Sequence, residues 1–469
     1  MRGSILTFAI ALAVASAPAF AAAPAAEAQT ADARLQAIGS APSAARIEAD
    51  VRTLAGFGTR HTLSDWNSDT RGIGAATRWL KAQFETISRD CGGCLEVIEV
   101  ADTVSGERIP TPTRVVDVIA IQRGSADPDR VVMMSGDIDS RVSDVMDATS
   151  DSPGANDNAS GLAGTLEAAR VLSKYRFPAT IVYAGLSGEE QGLYGGKILV
   201  AYAKAHGWRI EAELNNDMIG NSSGLNGVVD NTTARVFSEG TRVVETAEEA
   251  RQRRFSGGEV DSASRNVARY IDRMADYVPN LDVMMVYRLD RFGRGGHHRP
   301  FNEAGYPGVR VMETNENYTR QHQDLRVEDG IHYGDVVEGV DFAYAAKLTA
   351  LNAVSLAGMA WAPPPPAGVT IEGAVTADTT LKWQRPPAAQ APNLAGYRIY
   401  WRLTDEPQWT RSVYVGDVDA HTLKNVVIDN YFFGVAAVAK DGSESPVVFP
   451  GAAGSFGGYA AVATGEAKH

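Results

Sequence analysis

Two adjacent glutamates stand where an apolar run stops. Residues 181–196 read IVYAGLSGEEQGLYGG, which sets Glu189 and Glu190 among Ser and Gly directly after the run. Neighbouring carboxylates repel, and burying either one unpaired is costly. A bound cation removes that cost: one glutamate ligates the ion, and the other takes a proton from an attacking water. Taken alone, the pair reads equally as a solvated acidic turn, so the other acids of the chain have to separate the two readings.

VVMMSGDID (131–139) runs from apolar residues into Asp137 and Asp139. SPGANDNASG (152–161) carries Asp157 just before a helical pattern, and AELNNDMIGN (212–221) again runs from apolar residues into an acid, Asp217. NENYTRQHQDLR (315–326) adds His322 and Asp324 in a polar stretch. Each acid falls near the end of an expected strand or the start of an expected helix. In open α/β sheets, ligands gather at the carboxyl ends of the strands. Separated acids with an imidazole suit a metal site of oxygen and nitrogen donors.

In this order and at these intervals, with the FNEAGYPG turn at 301–308, the blocks resemble the co-catalytic zinc peptidase family. That family includes secreted leucyl aminopeptidases, glutamate carboxypeptidases and glutaminyl cyclases. The likeness covers roughly residues 50–355. It implies zinc, up to two ions, and a role for each acid. Asp157 would bridge the ions, Glu189 would be the general base, Glu190 and His322 would hold one ion, and Asp217 the other. Asp324 would either orient His322 or be a solvated loop acid.

One departure stands out. The family pattern at the first strand end is Gly-His-x-Asp-Ser, and this chain has Gly136-Asp137-Ile138-Asp139-Ser140. Asp137 can still ligate. A position surrounded by Asp137, Asp157 and Asp217 is harder than a mixed imidazole set and favours Mn, Mg or Ca relative to zinc. The expectation is a mixed or single-metal site, with zinc most secure at Glu190 and His322. Asp139 loses its family partner, the imidazole, and Arg141 becomes the candidate to neutralise it. His297 and His298, in GRGGHHRPFNEAGYPG (293–308), would reach the metal or substrate, or simply form a polar wall. Tyr318 and Arg320 would help polarise a carbonyl or hold a substrate carboxylate, or be structural.

The chain has 469 residues, 22% charged and 44% hydrophobic, with a net charge of −13. That is an ordinary globular composition, and the negative charge argues against nonspecific nucleic-acid binding. Arg2, the apolar ILTFAIALAVASA (5–17) and Ala19-Phe20-Ala21 make a signal peptide, cleaved after Ala21 or a residue or two later. The apolar run is too short to span a membrane, and no later run reaches ~18 residues. Export to the periplasm or the medium follows, and in that oxidising setting Cys91 and Cys94 are expected to form a small disulfide.

Spacing at threes and fours predicts helices over 44–56 and 71–89, and strand and helix signals alternate through 130–220. The fold class is α/β: a zinc-exopeptidase-like mixed, largely parallel sheet flanked by helices. PPPP at 363–366 marks a stiff spacer. Beyond it, short alternating strands suggest an all-β immunoglobulin-like sandwich. Trp383, Tyr397 and the 431–439 strand resemble a fibronectin type III module. The expected division is a signal peptide (1–21), a flexible leader (22–43), a metallopeptidase domain (44–361), a proline linker (362–366), the sandwich (367–455) and a tail (456–469).

The function expected from these observations is an exported metal-dependent exopeptidase for peptides or small proteins, first of all an aminopeptidase. Carboxypeptidase or glutaminyl cyclase chemistry on the same scaffold, or a catalytically silent binding protein, are the alternatives. Glu189 argues against the silent form, because a pure binder has no need of a base beside a metal ligand. No phosphate-loop spacing occurs. The oligomeric state has no signal in the sequence.

Overall fold

The structure is a computed structural model that describes residues 31–456. The signal peptide, the first part of the leader and the last part of the tail lie outside the described residues. Helices α1 (Ala31–Gly39), α2 (Ala44–Gly56) and α3 (Gly72–Asp90) lead into a long hairpin, β1 (Glu96–Gly106) and β2 (Ile109–Gln122). Strand and helix then alternate through β3 (Asp127–Asp137), α4 (Ala159–Leu172), β4 (Ala179–Leu186), α5 (Tyr194–Ala205) and β5 (Arg209–Asn216). β6 (Thr233–Ser238), α6 (Ala247–Ser256), α7 (Ala263–Met274), β7 (Asp282–Val286), α8 (His298–Glu303) and β8 (Gly308–Glu313) follow. A small hairpin, β9 (Arg326–Glu328) and β10 (Ile331–Tyr333), precedes the long helix α9 (Phe342–Trp361).

β1 to β8 form one mixed sheet in the order β1-β2-β4-β3-β5-β8-β6-β7. Its centre, β4-β3-β5-β8, is parallel; β2 pairs antiparallel with β4, and β6 antiparallel with β8. β4 is buried at all eight positions, as expected of a parallel strand covered on both faces. One face packs against α3, α4, α7 and α9, with α1 and α2 outside them on α9 and α4, and the other face packs against α5 and α8. Asn158 caps α4 and Asp341 caps α9, each accepting a backbone N–H three residues on. A fully buried Val, Ile or Leu side chain in such a core contributes about 1.5–3 kcal/mol.

Two glycines bring the strand ends together. A Cβ on Gly136 would lie 2.6 Å from the Gly161 backbone, and a Cβ on Gly161 would lie 2.1 Å from the Asn216 carbonyl oxygen. No side chain fits at either point, so the end of β3, the start of α4 and the end of β5 can converge. Gly161→Ala is expected to destabilise the protein by about 3 kcal/mol through overpacking. Gly56→Ala, where nothing lies within 4 Å, serves as a neutral control in the same thermal unfolding measurement.

Residues 31–39, expected as part of a flexible leader, instead form α1. Leu35 and Ile38 are buried in the main core, and the Arg34 guanidinium stacks 4.0 Å over the Trp361 ring. Cys91 and Cys94 are joined in a disulfide. Among the described residues no helix is long and apolar enough to cross a membrane.

After Trp361 come β11 (Ala367–Glu372), β12 (Thr379–Gln384), β13 (Leu394–Leu403), β14 (Arg411–Gly416), β15 (Ala420–Leu423) and β16 (Tyr431–Ala439). They form two three-stranded antiparallel sheets, β11-β12-β15 and β14-β13-β16, sharing a core that includes Trp383, Tyr397 and Phe433. This unit is docked on α7. Arg402 places Nη2 2.9 Å from both Asp261 oxygens, Arg269 holds the same carboxylate at 2.7 Å, and Trp409 donates to Asn266. Trp409 is therefore an interface residue. Deleting residues 362–469 leaves that face of α7 bare, so the truncated protein should melt several degrees lower by calorimetry. An unchanged melting temperature would show that the docking contributes nothing to stability.

Candidate metal centre

β4, β3, β5 and β8 run parallel, so their carboxyl ends share one edge of the sheet. Asp137 ends β3, Glu189 and Glu190 follow β4, Asp217 follows β5, and Asp157 sits just before the Asn158 cap of α4. The sequence-separated acids thus meet at one place, as the strand-end rule predicts.

Buried polar contacts shape the loops. Asp139 Oδ1 accepts the Glu189 N–H and its Oδ2 the Glu190 N–H, both at 3.2 Å, and Oδ2 also accepts the Thr62 hydroxyl at 2.9 Å. Asp335 accepts the N–H of Asn156 and, at 2.6 Å, the N–H of Asp157. Arg60 is fully buried and donates to four carbonyls, those of Leu54, Ile138, Pro153 and Gly154. Burial pushes its guanidinium down to about 10, which leaves it charged at neutral pH.

Asp157, Glu190 and His322 come together. His322 Nε2 lies 2.9 Å from both Asp157 Oδ2 and Glu190 Oε1, and the three donor atoms lie within 4.8 Å of one another. Two carboxylate oxygens and one imidazole nitrogen at that spacing match the three protein ligands of a zinc site that keeps a position open. Arg141 backs the group, with Nε 2.8 Å from Glu190 Oε2 and Nη2 2.7 Å from His322 Nδ1. Burial lowers the His322 pKa, but Glu190 and Asp157 outweigh it and raise the ring to about 9. The Arg141 contact argues the other way. A guanidinium can only donate, so Nδ1 must accept, and in this arrangement the ring is neutral with Nε2–H facing the two carboxylates. Holding a metal through Nε2 requires that proton to leave.

Asp137 and Asp217 have other partners. Asp137 Oδ1 lies 2.6 Å from His297 Nδ1, and its Oδ2 accepts from Asn158 Nδ2 at 2.7 Å. Asp217 Oδ2 lies 2.6 Å from Nη2 of Arg310, a fully buried residue of β8. Arg310 is anchored by Nη1 to Asp290 at 3.1 Å and to the Gly295 carbonyl at 2.6 Å. Burial raises the Asp217 carboxyl and lowers the guanidinium, while their contact works against both shifts. For Arg310 the contacts with Asp217 and Asp290 prevail, holding it well above its ordinary value, so it is a permanent cation.

Several expected side chains point elsewhere. Arg141 pairs with Glu190 and not with Asp139. Asp324 accepts from the Ser143 backbone and hydroxyl instead of orienting His322. His298 turns away to the Leu289 carbonyl and Asp290. Arg320 braces Asn221 and the Gly339 carbonyl, and Tyr318 is exposed. The open side is a cleft of about 320 Å³ lined by Glu189, Asp217, His322, Arg108, Arg291 and Arg294. Sequence reasoning missed Arg310, Asp335, Arg60 and Gln321. Gln321 donates to Asp157 at 3.2 Å. The one available signal was a lone arginine inside the apolar GVRVM segment.

Residues 117–335 match the model of peptidase family M28. A "probable zinc metalloprotease" of Leptosphaeria maculans is 44% identical over 420 residues, covering 89% of this chain and 96% of that protein. One from Pyricularia oryzae is 42% identical over 430 residues, covering 90% and 85%. The chain belongs to peptidase family M28, whose members are co-catalytic zinc peptidases; it is a metallopeptidase and its substrates are peptides. Among solved structures, LapB from Legionella pneumophila matches at a TM-score of 0.50 and 18% identity, over 69% of this chain and 74% of that one. LapA from the same genus matches at 0.52 and 18%, over 70% and 76%. At such identities these likenesses speak to the fold.

Proposed function

We propose that the chain is an exported exopeptidase, first of all an aminopeptidase, with its chemistry centred on Glu189. The observation that carries this is the juxtaposition of Glu189 with Asp157, Glu190 and His322 on one cleft wall. Asp157, Glu190 and His322 would hold zinc, which supplies a polarised carbonyl and a more acidic water. Burial first, then the carboxylate of Glu190, raises the proton affinity of Glu189. A carboxylate oxygen of Glu189 accepts the proton of the attacking water and passes it to the leaving amine nitrogen as the peptide bond breaks. Asp139 holds the turn that aims Glu189, and Asp335 holds the loop that aims Asp157. Glu189 and Asp217, both in the cleft lining, are the carboxylates that would meet a substrate ammonium.

Carboxypeptidase action is the second reading, favoured by Arg108 and Arg294 in the cleft wall. Arg108 donates to the Glu190 carbonyl, and Arg294 to Gln321, with Glu316 3.8 Å away. Guanidinium groups so placed suit a substrate carboxylate. The fibronectin type III likeness of the C-terminal sheets and the export route, with its oxidised Cys91–Cys94 pair, complete the proposal.

The test is amino-acid release from free, N-blocked and C-blocked dipeptides by protein lacking residues 1–21. Cleavage of free and C-blocked substrates alone is expected. Cleavage of free and N-blocked substrates alone would overturn the aminopeptidase reading in favour of the carboxypeptidase.

A further inference from the structure

We propose that the guanidinium of Arg310 occupies the role of a second metal ion, so that each chain holds one metal, at Asp157, Glu190 and His322. The proposal rests on the metallopeptidase reading of that cluster. Its observations come from the opposite side of the site, where a second ion would need Asp137 and Asp217 as ligands.

Both carboxylates are already held by side chains of this chain. Both oxygens of Asp137 are engaged, one 2.6 Å from His297 Nδ1 and the other 2.7 Å from Asn158 Nδ2. Asp137 stands at the strand end where the family places an imidazole, and the imidazole here comes instead from the 297 loop and meets the carboxylate rather than an ion. Asp217 offers Oδ2 to Arg310 Nη2 at 2.6 Å. Its Oδ1 has no partner, but a metal bonded there at about 2.0–2.2 Å would share one carboxylate with that guanidinium, cation beside cation. Arg310 cannot retreat easily. It is fully buried, and Asp290 and the Gly295 carbonyl grip its other nitrogen. His298 Nε2 lies 3.5 Å from Asp290 and makes its hydrogen bond to the Leu289 carbonyl at 2.9 Å. Of the two neighbouring histidines, His297 serves the replacement by holding Asp137.

The chemistry of the set agrees. Asp137, Asp157, Glu189, Glu190 and Asp217 converge at one sheet edge, and without a counter-charge their repulsion opposes folding. A divalent ion supplies such a charge only when bound, whereas an arginine built into a central strand supplies it in every molecule and never loses its proton. Arg310 is therefore a positioning residue: it fixes Asp217 and the charge of the cleft floor.

The test is zinc content by plasma mass spectrometry, after dialysis against excess zinc and removal of free ion, for the full mature chain and two variants. The expected results are one zinc per chain in the parent, one in Asp217→Asn and none in His322→Ala, with circular dichroism confirming the fold of each. Two zincs in the parent, falling to one in Asp217→Asn, would overturn the proposal and leave the peptidase reading standing. No zinc in the parent would remove the peptidase reading itself. If Asp217→Asn fails to fold, the parent stoichiometry still decides, and Arg310→Lys, which keeps the charge, must also hold one zinc.

Discussion

Glu189→Gln should lower kcat by roughly 10²–10⁴-fold, the usual contribution of a positioned general base, while zinc content stays at the parent value. The amide keeps the size of the side chain and removes its proton affinity. Glu189 is not one of the three residues whose donor atoms cluster, so metal retention should survive the change. Its main-chain N–H, held by Asp139, is untouched. Equal losses in kcat and kcat/KM would mark an interaction made only in the transition state. Loss of zinc together with activity would reassign Glu189 from base to ligand.

Arg60→Met is expected to be the most damaging single change to stability. Arg60 is fully buried, and its guanidinium is the donor to four carbonyls, one near the end of α2 and three in the connection between β3 and α4. Each buried acceptor left without a partner costs about 1–3 kcal/mol. Relaxation and water entry will recover part of this, so a loss of about 4 kcal/mol is expected, a large share of the roughly 5–15 kcal/mol of a typical domain. Urea unfolding should show a lower midpoint. Arg52→Met, which removes only an exposed helical pair with Glu48, should stay within about 0.5 kcal/mol. Comparable midpoints for the two variants would contradict this account of the loops.

Much of the site was legible because its acids sit at strand and helix boundaries, which composition and periodicity mark. GANDN, GEEQG and NNDM each pair an apolar run or a helical pattern with a carboxylate, and the sheet topology does the rest. Side-chain direction was not legible. Arg141 was expected on Asp139, but the loop after β3 turns it toward Glu190 and His322. His297 and His298 are adjacent, yet the start of α8 sends one to Asp137 and the other to the Leu289 carbonyl. Arg310 was invisible because an arginine between two valines reads as the solvent face of an edge strand. Its true surroundings depend on β8 lying between β5 and β6, a long-range fact. In the same way, α1 was hidden by a short alanine-rich stretch whose apolar face becomes significant only against α9.

The central claim is that turnover depends on a metal held by Asp157, Glu190 and His322. Hydrolysis of unblocked dipeptides and bound zinc should be measured together on the mature chain, as purified, after chelation, and after addition of one equivalent of zinc. Activity and zinc should disappear together, and a single equivalent should restore both, in the parent but not in His322→Ala. Hydrolysis that persists in fully stripped protein, or that His322→Ala recovers with one equivalent, would contradict it.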